Sequence, residues 1–142
     1  MASSSIINTS ARLLSSLDEE EVGISIFGPD LELIASNRAH RAFYRLPDHL
    51  GEPGASLDDL LRHHYEAGIF AQWSQRDESI LSAWREEHLL KLAADRTYQS
   101  TYVRTDGAVI IVTYHALSDG GWCGFQRNLK SLPLSKLLSS DL

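Results

Sequence analysis

With a single cysteine, Cys123, the chain has no intramolecular disulfide and no cysteine-rich zinc site. Basic residues are also few: 13 Lys and Arg stand against 19 Asp and Glu, a formal net charge of −6. They form no cluster, and the nucleic-acid backbone is gripped by clustered cations, so DNA and RNA are not expected partners. No apolar run approaches the roughly 20 residues that cross a bilayer, so no membrane partner is expected either. The opening residues, Met1 to Ser10, have neither the basic start nor the apolar stretch of a secretion signal. There is no Gly-x-Ser-x-Gly elbow and no Gly-x-x-x-x-Gly-Lys phosphate loop. What is present is an ordinary globular composition, 142 residues with 43% hydrophobic and 23% charged. That length suits one domain, which hides roughly two-thirds of its unfolded-chain surface without staples. The expectation is an acidic, cytoplasmic, single-domain protein.

Residues 1–8 are small and polar and are expected to be loose. Over 9–20 the spacing of Leu13, Leu14 and Leu17 predicts an N-terminal helix, ended by the acidic cluster at 18–21 that its dipole disfavours. Residues 22–27 and 31–35 read as two strands joined by the turn Gly28-Pro29-Asp30. Asn37 caps a helix with Ala39, Ala42 and Phe43 on one side, which Pro47 stops. After a Gly- and Pro-broken loop, Ser56-Leu57-Asp58-Asp59 resembles a capping box. It opens a helix carrying Leu57, Leu60, Leu61, His64 and Tyr65, closed by Gly68. A longer helix runs from about Arg76 to Asp95, with Ile80, Leu81, Trp84, His88 and Leu92 along one stripe.

The last third changes period. Residues 98–104, 108–116 and 122–126 read as strands joined by Asp106-Gly107 and Asp119-Gly120-Gly121, an antiparallel meander. The folded unit is expected over 21–127. The tail, 128–142, is rich in leucine but divided by Pro133, and reads as a short helical turn or a docking tail.

Two strands, several helices and three strands make an α+β fold. The run Gly23-Ile24-Ser25-Ile26-Phe27, then Asp30-Leu31-Glu32-Leu33-Ile34 and Asn37, resembles the opening hairpin of a PAS domain. Pro47, the stretch 53–61 and Gly68 look like the loop and helix that follow in one bacterial PAS subgroup. Thr105-Asp106-Gly107 and Leu117-Ser118-Asp119-Gly120-Gly121 match its later hairpins. The resemblance covers about residues 13–126 and implies a five-stranded antiparallel sheet in order 2-1-5-4-3, with helices on one face. Two departures stand out. Gly28 occupies a position that is usually Asp, and Phe125-Gln126-Arg127-Asn128 replaces the usual Asp-Ile-Thr exit to a fused output domain. Either the module acts through a separate partner, or the chain is a fragment or remnant of a larger sensor.

The resemblance places a ligand pocket between sheet and helices. Phe27, Phe43, Tyr65, Trp84, His88, Tyr98, Tyr102 and Tyr114 are its candidate lining, though each is equally a core residue. Buried Tyr102 and Tyr114 need partners for their hydroxyls, and a small organic ligand is one. In haem-binding PAS sensors the axial ligand is a histidine on the same helix as His88, which makes haem an alternative cofactor. Flavin photosensors carry an Asn-Cys-Arg-Phe-type motif; here Leu60-Leu61-Arg62-His63 stands in its place, and Cys123 reads as a small buried hydrophobe. Adjacent His63 and His64 point apart on a helix and do not chelate a metal, and the pairs Asp58-Asp59 and Glu86-Glu87 form no dyad for the same reason.

The run Val109-Ile110-Ile111-Val112 is apolar at both parities, so both faces of that strand are expected to be covered. Ile110 and Val112 would face the helices, leaving Val109 and Ile111 outside. With Leu13, Leu14 and Leu17 they are the candidate dimer interface, since PAS domains commonly pair through this surface. The reading is a non-enzymatic sensory or interaction module of bacterial signalling that forms homodimers and binds a small ligand or a signalling partner. Its rivals are a haem sensor through His88, a small cavity enzyme with His88 or His64 as general base beside a carboxylate, and a structural module whose own aromatics fill the pocket.

Overall fold

A computed structural model describes residues 2–73 and 77–129, with backbone alone for 2–10. Helix α1 covers Ala2–Glu19. It begins well before the Thr9 start expected from the leucines, and residues 2–8 are helical rather than loose. Small polar residues have only middling helix propensity, but adding turns to a formed helix is far cheaper than nucleating one. Glu21, at φ 59°, turns the chain out of the helix, and Val22 N–H closes on Leu17 O at 2.9 Å.

Strand β1 (Gly23–Phe27) pairs antiparallel with β2 (Leu33–Ser36). The expected second strand begins two residues late because Leu31 sits in the left-handed region at φ 66°, part of a turn closed by Gly28 N–H to Glu32 O. Asn37 then caps α2 (Arg38–Tyr44), its side chain accepting from His40 N–H. The helix buries His40, Phe43 and Tyr44 and packs Ala39 against the core; of the expected face only Ala42 is exposed.

Ser56 caps α3 (Leu57–Glu66) by accepting from Asp59 N–H at 3.0 Å. Gly68, at φ 63°, ends it. Helix α4 covers Ser79–Asp95; the expected start at Arg76 lies outside the described residues. Strands β3 (Thr97–Val103), β4 (Val109–Ala116) and β5 (Trp122–Asn128) form the meander. Gly107 and Gly120 supply positive φ in its two turns. The sheet order is β2-β1-β5-β4-β3, as the resemblance implied. Ile110 and Val112 are fully buried beneath the helices, while Val109 and Ile111 are half-buried on the outer face. The tail beyond Leu129 lies outside the described residues.

Candidate functional site

Alternate residues of the central strands point at the helices. On β5 these are Trp122, Gly124 and Gln126, which pair across β1 with Phe27, Ser25 and Gly23. The β4 partners of Gly124 and Gln126 are Tyr114 and Val112. Glycine at 23 and 124 makes room for a buried amide. A Cβ on Gly23 would sit 2.5 Å from Gln126 Oε1, and one on Gly124 3.1 Å from Gln126 Nε2. The amide nitrogen donates to Ser25 Oγ at 3.2 Å.

Between this floor and the helices lies a cavity of about 50 Å³. His40 and Tyr44 reach it from α2, His64 from α3 and Trp84 from α4. The Tyr44 ring lies between the two imidazoles, 5.3 Å from His40 and 4.7 Å from His64. Burial first, then the charge of Arg41, lowers His40 to about 3. Burial and then neighbouring His40 and His63 lower His64 to about 3. Both imidazoles are therefore neutral at pH 7. On the far wall Trp84 Nε1 donates to the Tyr102 hydroxyl at 3.0 Å, which meets the Tyr114 hydroxyl at 3.1 Å. Burial raises Tyr44 and Tyr114 well above the usual tyrosine range, so these phenols stay protonated.

Helix α1 is joined to this site through α2. Asp18 of α1 accepts a hydrogen bond from Ala39 N–H at 2.7 Å, one residue before His40. A profile described as PAS fold matches residues 17–125. The chain belongs to the PAS fold family.

This PAS domain resembles the PAS domain of a protein from Colwellia psychrerythraea, with a TM-score of 0.55 and 11% identity over 89% of this chain and 99% of that one. The PAS domain of Bordetella pertussis BvgS gives a TM-score of 0.53 and 12% identity, covering 94% of this chain and 93% of that one. At such identities the likeness is one of fold. No curated protein is matched by the sequence.

Of the residues singled out from sequence, the PAS cavity gathers Phe27, Trp84, Tyr102 and Tyr114. The others lie elsewhere. Phe43 packs over Gly23 and borders a separate groove with Asp18 and Arg38. Tyr65 is half-buried against the core, away from the cavity. His88 and Tyr98 border a separate pocket with Glu87 and Lys91.

His88 is 1% exposed, and its Nδ1 shares a hydrogen bond with the Tyr98 hydroxyl. Trp84 stacks on it at 4.6 Å, with Trp122 at 4.6 Å and Tyr114 at 4.7 Å against its other sides. Rings so placed leave no space for a porphyrin plane, so the haem alternative does not fit this arrangement. Burial, helped by Lys91, lowers His88 to about 4. Among the described residues the cavity lining that includes His64 contains no carboxylate, whereas the pocket beside His88 includes Glu87.

Sequence reasoning missed His40, Tyr44, Phe70, Trp73, Trp122 and Gln126. Two signals were available. His40 and Tyr44 are four apart and share a helix face, and Gln126 has the same parity as Trp122 on one strand. On α1, Leu13 is 59% exposed, while Leu14 and Leu17 are half-buried. Cys123, of opposite parity to Trp122 on β5, is buried, and burial raises its thiol to about 11, which makes it a poor nucleophile.

Proposed function

We propose that this chain is a non-enzymatic sensory and interaction module of cytoplasmic bacterial signalling. It works as a homodimer and responds to a small ligand or a signalling partner. Membership of the PAS family supports a role in signal sensing. One observation carries the finer reading: His40 lines the cavity, and the adjoining Ala39 N–H is bonded to Asp18 of α1. A change at the cavity that shifts α2 therefore pulls on α1, the helix that presents exposed Leu13. Leu13, Leu14, Leu17, Val109 and Ile111 form the surface on which a second copy would pack.

Sedimentation of the wild type and of Leu13→Glu tests the dimer. The wild type is expected to be dimeric at micromolar concentration. The variant is expected to be monomeric, with stability changed by no more than about 0.5 kcal/mol, as for other surface substitutions. A wild type that stays monomeric to high concentration, or a variant that still dimerises, overturns it. A second reading is favoured by the small cavity volume: a structural module whose own aromatics fill the pocket. Under that reading no solute changes the behaviour of α1.

A further inference from the structure

Among the described residues, three polar atoms of cavity-lining side chains are buried without a hydrogen-bond partner: His40 Nδ1, His64 Nδ1 and Gln126 Oε1. Folded proteins pair nearly all such atoms, because a buried group left unpaired loses its water for nothing. Here the three belong to one site, on three different elements. Each constrains the occupant. Gln126 Oε1 can only accept, so the occupant carries an N–H or O–H. Each neutral imidazole offers one donor and one acceptor, according to its tautomer, and so suits a group with both.

Charge and size narrow the class further. Among the described residues the lining holds no Lys, Arg, Asp or Glu, so an ion entering it would shed its water and meet no counter-charge. The volume of about 50 Å³ has room for a few waters or a solute of a few heavy atoms. Drug-sized sites run to roughly 300–1,000 Å³. The aromatic walls, Tyr44 and Phe70 among them, favour a flat molecule.

We propose that this cavity binds a small uncharged amide, whose N–H donates to Gln126 Oε1 while its remaining polar atoms meet the ring nitrogens of His40 and His64. The proposal rests on the sensory reading above and names the ligand class for that pocket.

The test uses the full chain and three molecules of nearly one shape: acetamide, acetone and acetate. Acetone lacks the donor and acetate adds a charge. Imidazole ¹⁵N shifts of His40 and His64 are followed through a titration into the millimolar range, since so few heavy atoms limit affinity to roughly tens of micromolar at best. Saturable shifts are expected with acetamide, and binding at least about tenfold weaker with the other two. Gln126→Met, which keeps the bulk and removes the amide, is expected to weaken acetamide binding by a similar factor. His64→Phe, which keeps a ring between Tyr44 and Phe70, serves if the first variant does not fold. No saturable shift, equal binding of acetone, or an unaffected Gln126→Met overturns the proposal, as does a cavity holding water that acetamide does not displace. Acetamide binding with no change in sedimentation sinks the sensory reading and leaves the site standing. Sedimentation that responds to a partner while acetamide fails to bind does the reverse.

Discussion

Asn37 shows how much one side chain holds together. Its Oδ1 accepts from Ile24 N–H and His40 N–H, each at 3.0 Å, and its Nδ2 donates to Val22 O at 2.8 Å. It therefore caps α2 and ties that helix to β1. Sequence showed the cap alone, because the other partners lie 13 and 15 residues upstream and no local pattern marks them. Asn37→Ala leaves three buried groups without their partner, at about 1 kcal/mol or more each. A loss of about 2–4 kcal/mol in urea unfolding is expected; one below about 1 kcal/mol would show that the backbone holds the junction unaided. Gln126 is the opposite case. A lone polar residue at a core-facing strand position was visible, but its room depends on Gly23, which only strand pairing brings opposite.

Among the elements, helix starts with a capping side chain were easiest to read, and ends set by backbone conformation the hardest. Ser56 and Asn37 are chemically marked caps, and both helices begin where those residues say. Glu21, Leu31, Arg45 and Arg96 all adopt positive φ, and none is a residue type that announces it. Arg96 ends α4 at φ 65°, with its N–H on Leu92 O at 3.0 Å and its carbonyl accepting from Ala116 N–H at 2.7 Å. Glycine relieves the steric strain of that conformation, though it adds freedom to the unfolded chain. Arg96→Gly is expected to raise stability by roughly 0.5–1 kcal/mol, measured by thermal or urea unfolding. A decrease would mean that the arginine side chain contributes more than its backbone costs.

At the scale of the whole molecule, three buried histidines govern the response to acid. His40 and His64 lie near 3 and His88 near 4, against an ordinary 6.5. As pH falls the unfolded chain takes up protons first, so this stability is complete above about pH 6.5 and declines below it. At pH 5 each histidine accounts for a loss of about 2 kcal/mol, and the three together for about 6 kcal/mol. That is comparable with the 5–15 kcal/mol of a typical domain. Asp106 acts in the same direction at lower pH, its carboxylate held low mainly by Arg104. Urea midpoints at pH 7, 6 and 5 are expected to fall steeply, and equal midpoints at 7 and 5 would contradict the neutral, buried assignment. The cavity has an optical consequence as well. The chain contains three tryptophans, and Trp73, Trp84 and Trp122 all border that one space. His88 lies against two of their indoles. The intrinsic fluorescence of this protein is thus the emission of its cavity wall, and anything that enters there alters the light from every fluorophore that dominates the spectrum.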